Sequence, residues 1–146
     1  MREEPYIVIE QGGTMYNASI ENRGDSKYYA TTKEYHFVMD TEGQGANPVD
    51  TLLASLCGCI GHQAREYLRE QRIASHGFVV AAEAGLTNEK TRLSDISLSI
   101  DMKDTQLDSG QRAGLLKYVE RCKIHNTLKA GCSIKMVLSE GAATVR

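Results

Sequence analysis

From Pro48 to about Arg72 the chain carries Val49, Leu52, Leu53, Leu56, Ile60, Ala64, Tyr67 and Leu68 at helical spacing. Asn47 is placed to cap this run, and Pro48 stands at the first turn, where a missing N–H costs nothing. A helix apolar around nearly its whole circumference has to be buried. Its remaining positions include Ser55, Gly58 and Gly61, a small face that another backbone can approach closely. Each helical glycine costs of order 1 kcal/mol, so close packing is the reason to expect them there. A chain of 146 residues with no tryptophan and two phenylalanines has little bulk with which to cover such a helix alone. The expectation is an obligate oligomer, most simply a dimer that shares its helices.

Around that helix the pattern alternates between strands and turns. Tyr6 to Glu10 reads as a strand entering a turn at Gln11–Thr14, and Met15 to Ile20 as a second strand. Asn22-Arg23-Gly24 supplies a turn. Tyr28 to Thr32 and Glu34 to Asp40 complete an antiparallel meander. After the helix, residues 78–84 and Leu93 to Met102 read as a hairpin around Thr87-Asn88-Glu89-Lys90. Asp108 opens a second long helix bearing Leu115, Leu116, Tyr118 and Val119. A short helical turn follows from Ile124 to Leu128, and Cys132 to Leu138 reads as a last strand. The class is α+β: an N-terminal meander, a long central helix, a hairpin, a second helix and a final strand, all in one domain.

Composition narrows the function. A net charge of −2, with lysine and arginine scattered, gives no electrostatic case for a nucleic-acid partner. No stretch approaches the roughly 20 apolar residues that span a bilayer. Met1 to Pro5 has no apolar run of signal-peptide type, which points to the cytoplasm. There thiols are kept reduced, so the four cysteines read as chemistry or packing, not as two structural staples.

Cys59 borders the apolar face of the central helix, one turn past Leu56. A cysteine there is a core residue, or a nucleophile if a charged neighbour from elsewhere holds its thiolate. Cys122 closes the second helix, in Val119-Glu120-Arg121-Cys122-Lys123-Ile124-His125. His62 and His125 stand at i+3 from Cys59 and Cys122, as polar flanks or as bases. Cys57 and Cys59 are two residues apart and point to different sides of a helix, which argues against pairing or a shared metal. Cys132 reads as packing, and no metal or cofactor is expected.

Taken together, the segment Gly45-Ala46-Asn47-Pro48 through Cys57-Gly58-Cys59 and the segment around Cys122 resemble the OsmC/Ohr family of osmotically inducible and organic-hydroperoxide-resistance proteins. The resemblance implies an intertwined homodimer with the central helices between two sheets. It makes Cys59, eleven residues after Pro48, the nucleophile, and Cys122 the resolving cysteine. The implied reaction is reduction of organic hydroperoxides: Cys59 becomes a sulfenic acid, Cys122 condenses with it to a disulfide, and a dithiol reductant resets the pair. In the better-known members that reductant is a lipoylated protein.

The family's reducing members also carry an arginine from the N-terminal hairpin and a glutamate directly after the proline. Arg23 is the candidate arginine. Val49 stands at the glutamate position and Asp50 follows it, turned by about 100° on a helix. Asp50 is therefore either an acid of the site or a helix-capping charge. Cys122 is followed by Lys123 and Ile124 where the family usually has Pro-Val. The rival reading is a non-enzymatic domain of the same family, whose apolar cleft binds a small ligand and whose cysteines line it or sense redox state.

Overall fold

The structure, a computed structural model, describes residues 15–141. The expected strand Tyr6–Glu10 and the turn after it lie outside the described residues. Three helices and two antiparallel sheets make up the rest: β1 (Ser19–Asn22), β2 (Lys27–Thr32), β3 (Tyr35–Asp40), α1 (Pro48–Glu70), β4 (Val79–Leu86), β5 (Leu93–Asp101), α2 (Ser109–Val119) and α3 (Lys123–Ala130).

α1 begins where its capping signals stand. The Asn47 side chain accepts from the Asp50 N–H at 2.9 Å, and the Asp50 carboxylate accepts from the Asn47 N–H at 3.3 Å, closing a capping box. At the other end Gln71 is the C-cap. Arg72 turns into the left-handed region at φ 55°, and the Ile73 N–H returns to the Leu68 carbonyl at 2.9 Å. This is a Schellman closure made with arginine where glycine is usual. α2 starts on a second capping box, between Asp108 and Gln111.

β1, β2 and β3 form an antiparallel meander, with Ser19 opposite Thr31 and Lys27 opposite Asp40. β4 and β5 pair as the expected hairpin, from Val79 opposite Asp101 to Leu86 opposite Leu93, with an irregularity at Gly85/Leu86. α1 packs on β4, α2 and α3. The core gathers Leu56, Ile60, Ala64, Tyr67 and Leu68 of α1, Leu115 and Val119 of α2, and Cys122. Each fully buried Leu or Ile there contributes about 1.5–3 kcal/mol. Two tyrosines tie α1 to α2. The Tyr67 hydroxyl donates to the Gln111 carbonyl at 2.9 Å, and the Tyr118 hydroxyl to Glu70 at 2.8 Å. Their rings meet at 5.6 Å between centroids.

Two expectations need correction. The last strand, Cys132–Leu138, makes no ladder among the described residues: the segment lies extended, with Ile134 80% and Met136 92% exposed. A strand exists only against a neighbour, and none lies beside this segment among the described residues. The helical turn Ile124–Leu128 is a two-turn helix, Lys123–Ala130, which Gly131 ends at φ 76°. Among the described residues the small face of α1 meets no backbone. A Cβ at Gly58 would meet nothing within 4 Å, and one at Gly61 would touch only the Phe78 and Val80 side chains.

Candidate active site

Cys59 sits mid-way along α1, where the helix passes over the junction between α2 and α3. α2 ends at Val119, and the backbone N–H of Cys122 closes the turn on the Val119 carbonyl at 3.2 Å. Cys122 is then the N-cap of α3: its Sγ accepts from the His125 N–H at 3.3 Å. Sulfur thus takes the part that Ser, Thr, Asp or Asn usually plays. Cys122 is fully buried and Cys59 half-buried.

The two thiols interact. Burial pushes the Cys122 thiol up from its ordinary value, and the hydrogen bond its proton makes with Cys59 pushes it further, outweighing the N–H groups of His125 and Ile124. Cys122 therefore holds its proton inside, while the half-buried Cys59 lines a cavity.

That cavity has a volume of about 470 Å³, within the range that takes small organic ligands. Leu52, Ile124 and Leu128 give it apolar walls, and His62, Gln63 and Lys123 bring the polar groups beside Cys59. Four of its lining residues, Lys123, Ile124, Thr127 and Leu128, belong to α3. The sulfur that caps α3 therefore also anchors one wall of the cavity. Sequence reasoning placed His62 near Cys59 but missed Lys123, whose only signal was its position directly after Cys122.

The remaining site candidates do not line this cavity. The Arg23 guanidinium donates to Glu21 at 2.7 Å and stacks over the Tyr29 ring at 4.0 Å, on its own hairpin. The Asp50 carboxylate is engaged in the capping box of α1. The His125 ring Nδ1 lies 3.3 Å from Asn126 Oδ1. Cys57 is half-buried and Cys132 exposed, and neither lines the cavity.

A central helix that carries Cys59 passes over the interhelical turn that carries Cys122, beside an α+β frame. The family model for OsmC-like protein matches residues 41–137, and the chain belongs to that family. Among solved structures it is similar to an OsmC-like protein from Mycoplasma pneumoniae, with a TM-score of 0.72 and 19% identity over 81% of this chain and 89% of that one. It is also similar to an organic hydroperoxide resistance protein OsmC from Legionella pneumophila, with a TM-score of 0.57 and 16% identity over 82% and 92%. A third is the organic hydroperoxide resistance protein OhrB of Bacillus subtilis, with a TM-score of 0.57 and 16% identity over 81% and 93%. Comparison with curated proteins gives no match. At these identities the likeness shows the fold. Among the described residues no helix is long and apolar enough to cross a membrane.

Proposed function

We propose that the protein is a thiol-dependent peroxidase that reduces organic hydroperoxides to alcohols. The observation that carries this reading is the place of Cys59, packed against the buried cluster that contains Cys122 and set in the wall of an apolar cavity. The Cys59 thiolate attacks the distal oxygen of R–O–O–H; the O–O bond breaks and R–O⁻ leaves as the alcohol after taking a proton. Cys59 is left as a sulfenic acid. The Cys122 sulfur attacks it, the disulfide forms and water leaves. A dithiol, in the family's manner a lipoylated protein, returns both thiols by exchange and becomes a disulfide itself.

The division of labour follows exposure. Cys59 opens on the cavity, where a peroxide can reach it, and Cys122 is buried. His62 and Lys123 are the polar groups placed to hold and protonate the leaving oxygen. Arg23, held by Glu21 and Tyr29, and Asp50, held in the capping box, are assigned no step. The working unit is a homodimer in the cytosol, with the helices of two copies between their sheets.

The test is to treat the reduced protein with one equivalent of cumene hydroperoxide, count thiols and map the link by mass spectrometry. The reading expects rapid loss of two thiols and a Cys59–Cys122 disulfide. Four surviving thiols would overturn it in favour of a cleft that binds a ligand without turning it over.

A further inference from the structure

Beside the thiol cavity runs a second groove of about 670 Å³, between α1, β5 and α3. Leu52, Leu56, Leu98 and Leu128 form its floor. Two of these, Leu52 and Leu128, also line the thiol cavity, so the two spaces share a wall along the seam of α1 and α3. Two cations also line the groove, Arg92 just before β5 and Lys129 in the last turn of α3. Both are exposed. Among the described residues the ion pairs are Arg23–Glu21 and Arg69–Glu66, so neither of these cations is paired. Arg92 gives one N–H to the Leu93 carbonyl at 3.3 Å. Asp95 also lines the groove, but its Oδ1 takes the Ser94 hydroxyl at 2.6 Å.

We propose that this groove is the head-group site for a carboxylate-bearing acyl chain, with Arg92 and Lys129 holding the carboxylate. The proposal deepens the peroxidase reading and rests on it for the reacting end of the chain. Arg92 and Lys129 set against Asp95 leave one excess positive charge, which suits a monoanion better than a phosphate dianion. The planar guanidinium fork matches a carboxylate in particular. Length agrees as well. Lys129 stands seven residues beyond Cys122, about 10 Å along the helix axis. An acyl chain spans that interval over the leucine floor, whereas an aryl hydroperoxide at Cys59 is too short to reach the cations. Arg92 and Lys129 are thus specificity residues, remote from the reacting atoms.

The experiment has a binding arm and a turnover arm. In the first, oleate and oleyl alcohol are titrated by calorimetry into the wild type, Arg92→Ala/Lys129→Ala and Arg92→Lys. Oleate is expected to bind about tenfold tighter than the alcohol, the order of one charge-assisted hydrogen bond. The double variant should bind the two alike, and Arg92→Lys should keep part of the preference. Equal binding in the wild type, no binding of either, or an undiminished preference in the double variant would overturn the proposal. In the second arm, linoleic acid hydroperoxide, its methyl ester and cumene hydroperoxide are compared as substrates. The double variant should lose the preference of acid over ester and turn over cumene hydroperoxide as the wild type does. Cumene hydroperoxide reduced without an acid preference would sink the groove alone. Cumene hydroperoxide left unreduced, with oleate still bound through Arg92 and Lys129, would sink the peroxidase reading and leave the groove standing.

Discussion

Replacing Cys122 by serine separates two roles of one sulfur. Serine is a better N-cap than cysteine and can accept from the His125 N–H in the same way, so α3 and the cavity wall it carries should persist. The chemistry should not. One equivalent of hydroperoxide is expected to stop at a Cys59 sulfenic acid, seen as a dimedone adduct, with no Cys59–Cys122 disulfide for a dithiol to exchange with; Cys59→Ser should take up no oxidant at the site. The same variant reads the proton. The folded pKa of Cys122 lies above its ordinary value of 9.0, through burial and then through Cys59. The native state therefore holds a proton that the unfolded chain releases from about pH 9 upward, and stability falls as pH rises through that window. Tyr118, raised by its hydrogen bond to Glu70, acts with the same sign from about 10.0 upward. Urea denaturation at stepped pH should show the first part of the alkaline loss vanish in Cys122→Ser, with the tyrosine part retained. An unchanged profile would mean the thiol proton is not held by the fold.

The ends of α1 make opposite predictions at the scale of the element. Asn47→Ala removes the acceptor of the capping box and should cost about 1 kcal/mol in denaturant unfolding. Arg72→Gly relieves a non-glycine residue at φ 55° while keeping the Schellman bonds, and should stabilise by up to about 1 kcal/mol. A loss there would show that the arginine side chain contributes more than its strained backbone costs. The elements also show what a sequence can and cannot carry. α1, α2 and both hairpins were legible, because periodicity, capping residues and turn residues are local signals. α3 was read short because sulfur is an uncommon N-cap. The proposed pairing of Cys59 with Cys122 came through resemblance to a family, since 62 intervening positions (60 to 121) separate them. The groove was invisible: Leu52, Arg92 and Lys129 meet only after three elements pack.

Among the described residues one chain leaves apolar side chains uncovered that the proposed dimer would cover. On the meander Tyr35, Phe37 and Val38 are exposed, and the C-terminal segment adds Ile134, Met136 and Leu138 with no strand beside it among the described residues. Large exposed apolar patches mark interaction sites. A second copy answers both deficits. It offers an edge for the segment Cys132–Leu138, which already has the composition of a strand, and a helix for the uncovered small face of α1 around Gly58. An association that pairs strands and buries helices together is expected to be obligate, so its loss should cost the fold as well as the mass. Sedimentation equilibrium should therefore give twice the 16.1 kDa chain mass, and unfolding midpoints should rise with protein concentration. Ile134→Asp with Met136→Lys places charge on the segment without touching the core, and should yield a monomer of lower midpoint that no longer depends on concentration. A wild-type chain that sediments as a monomer would mean that the exposed segment serves another partner, and that Cys59 and Cys122 complete their chemistry within a single copy.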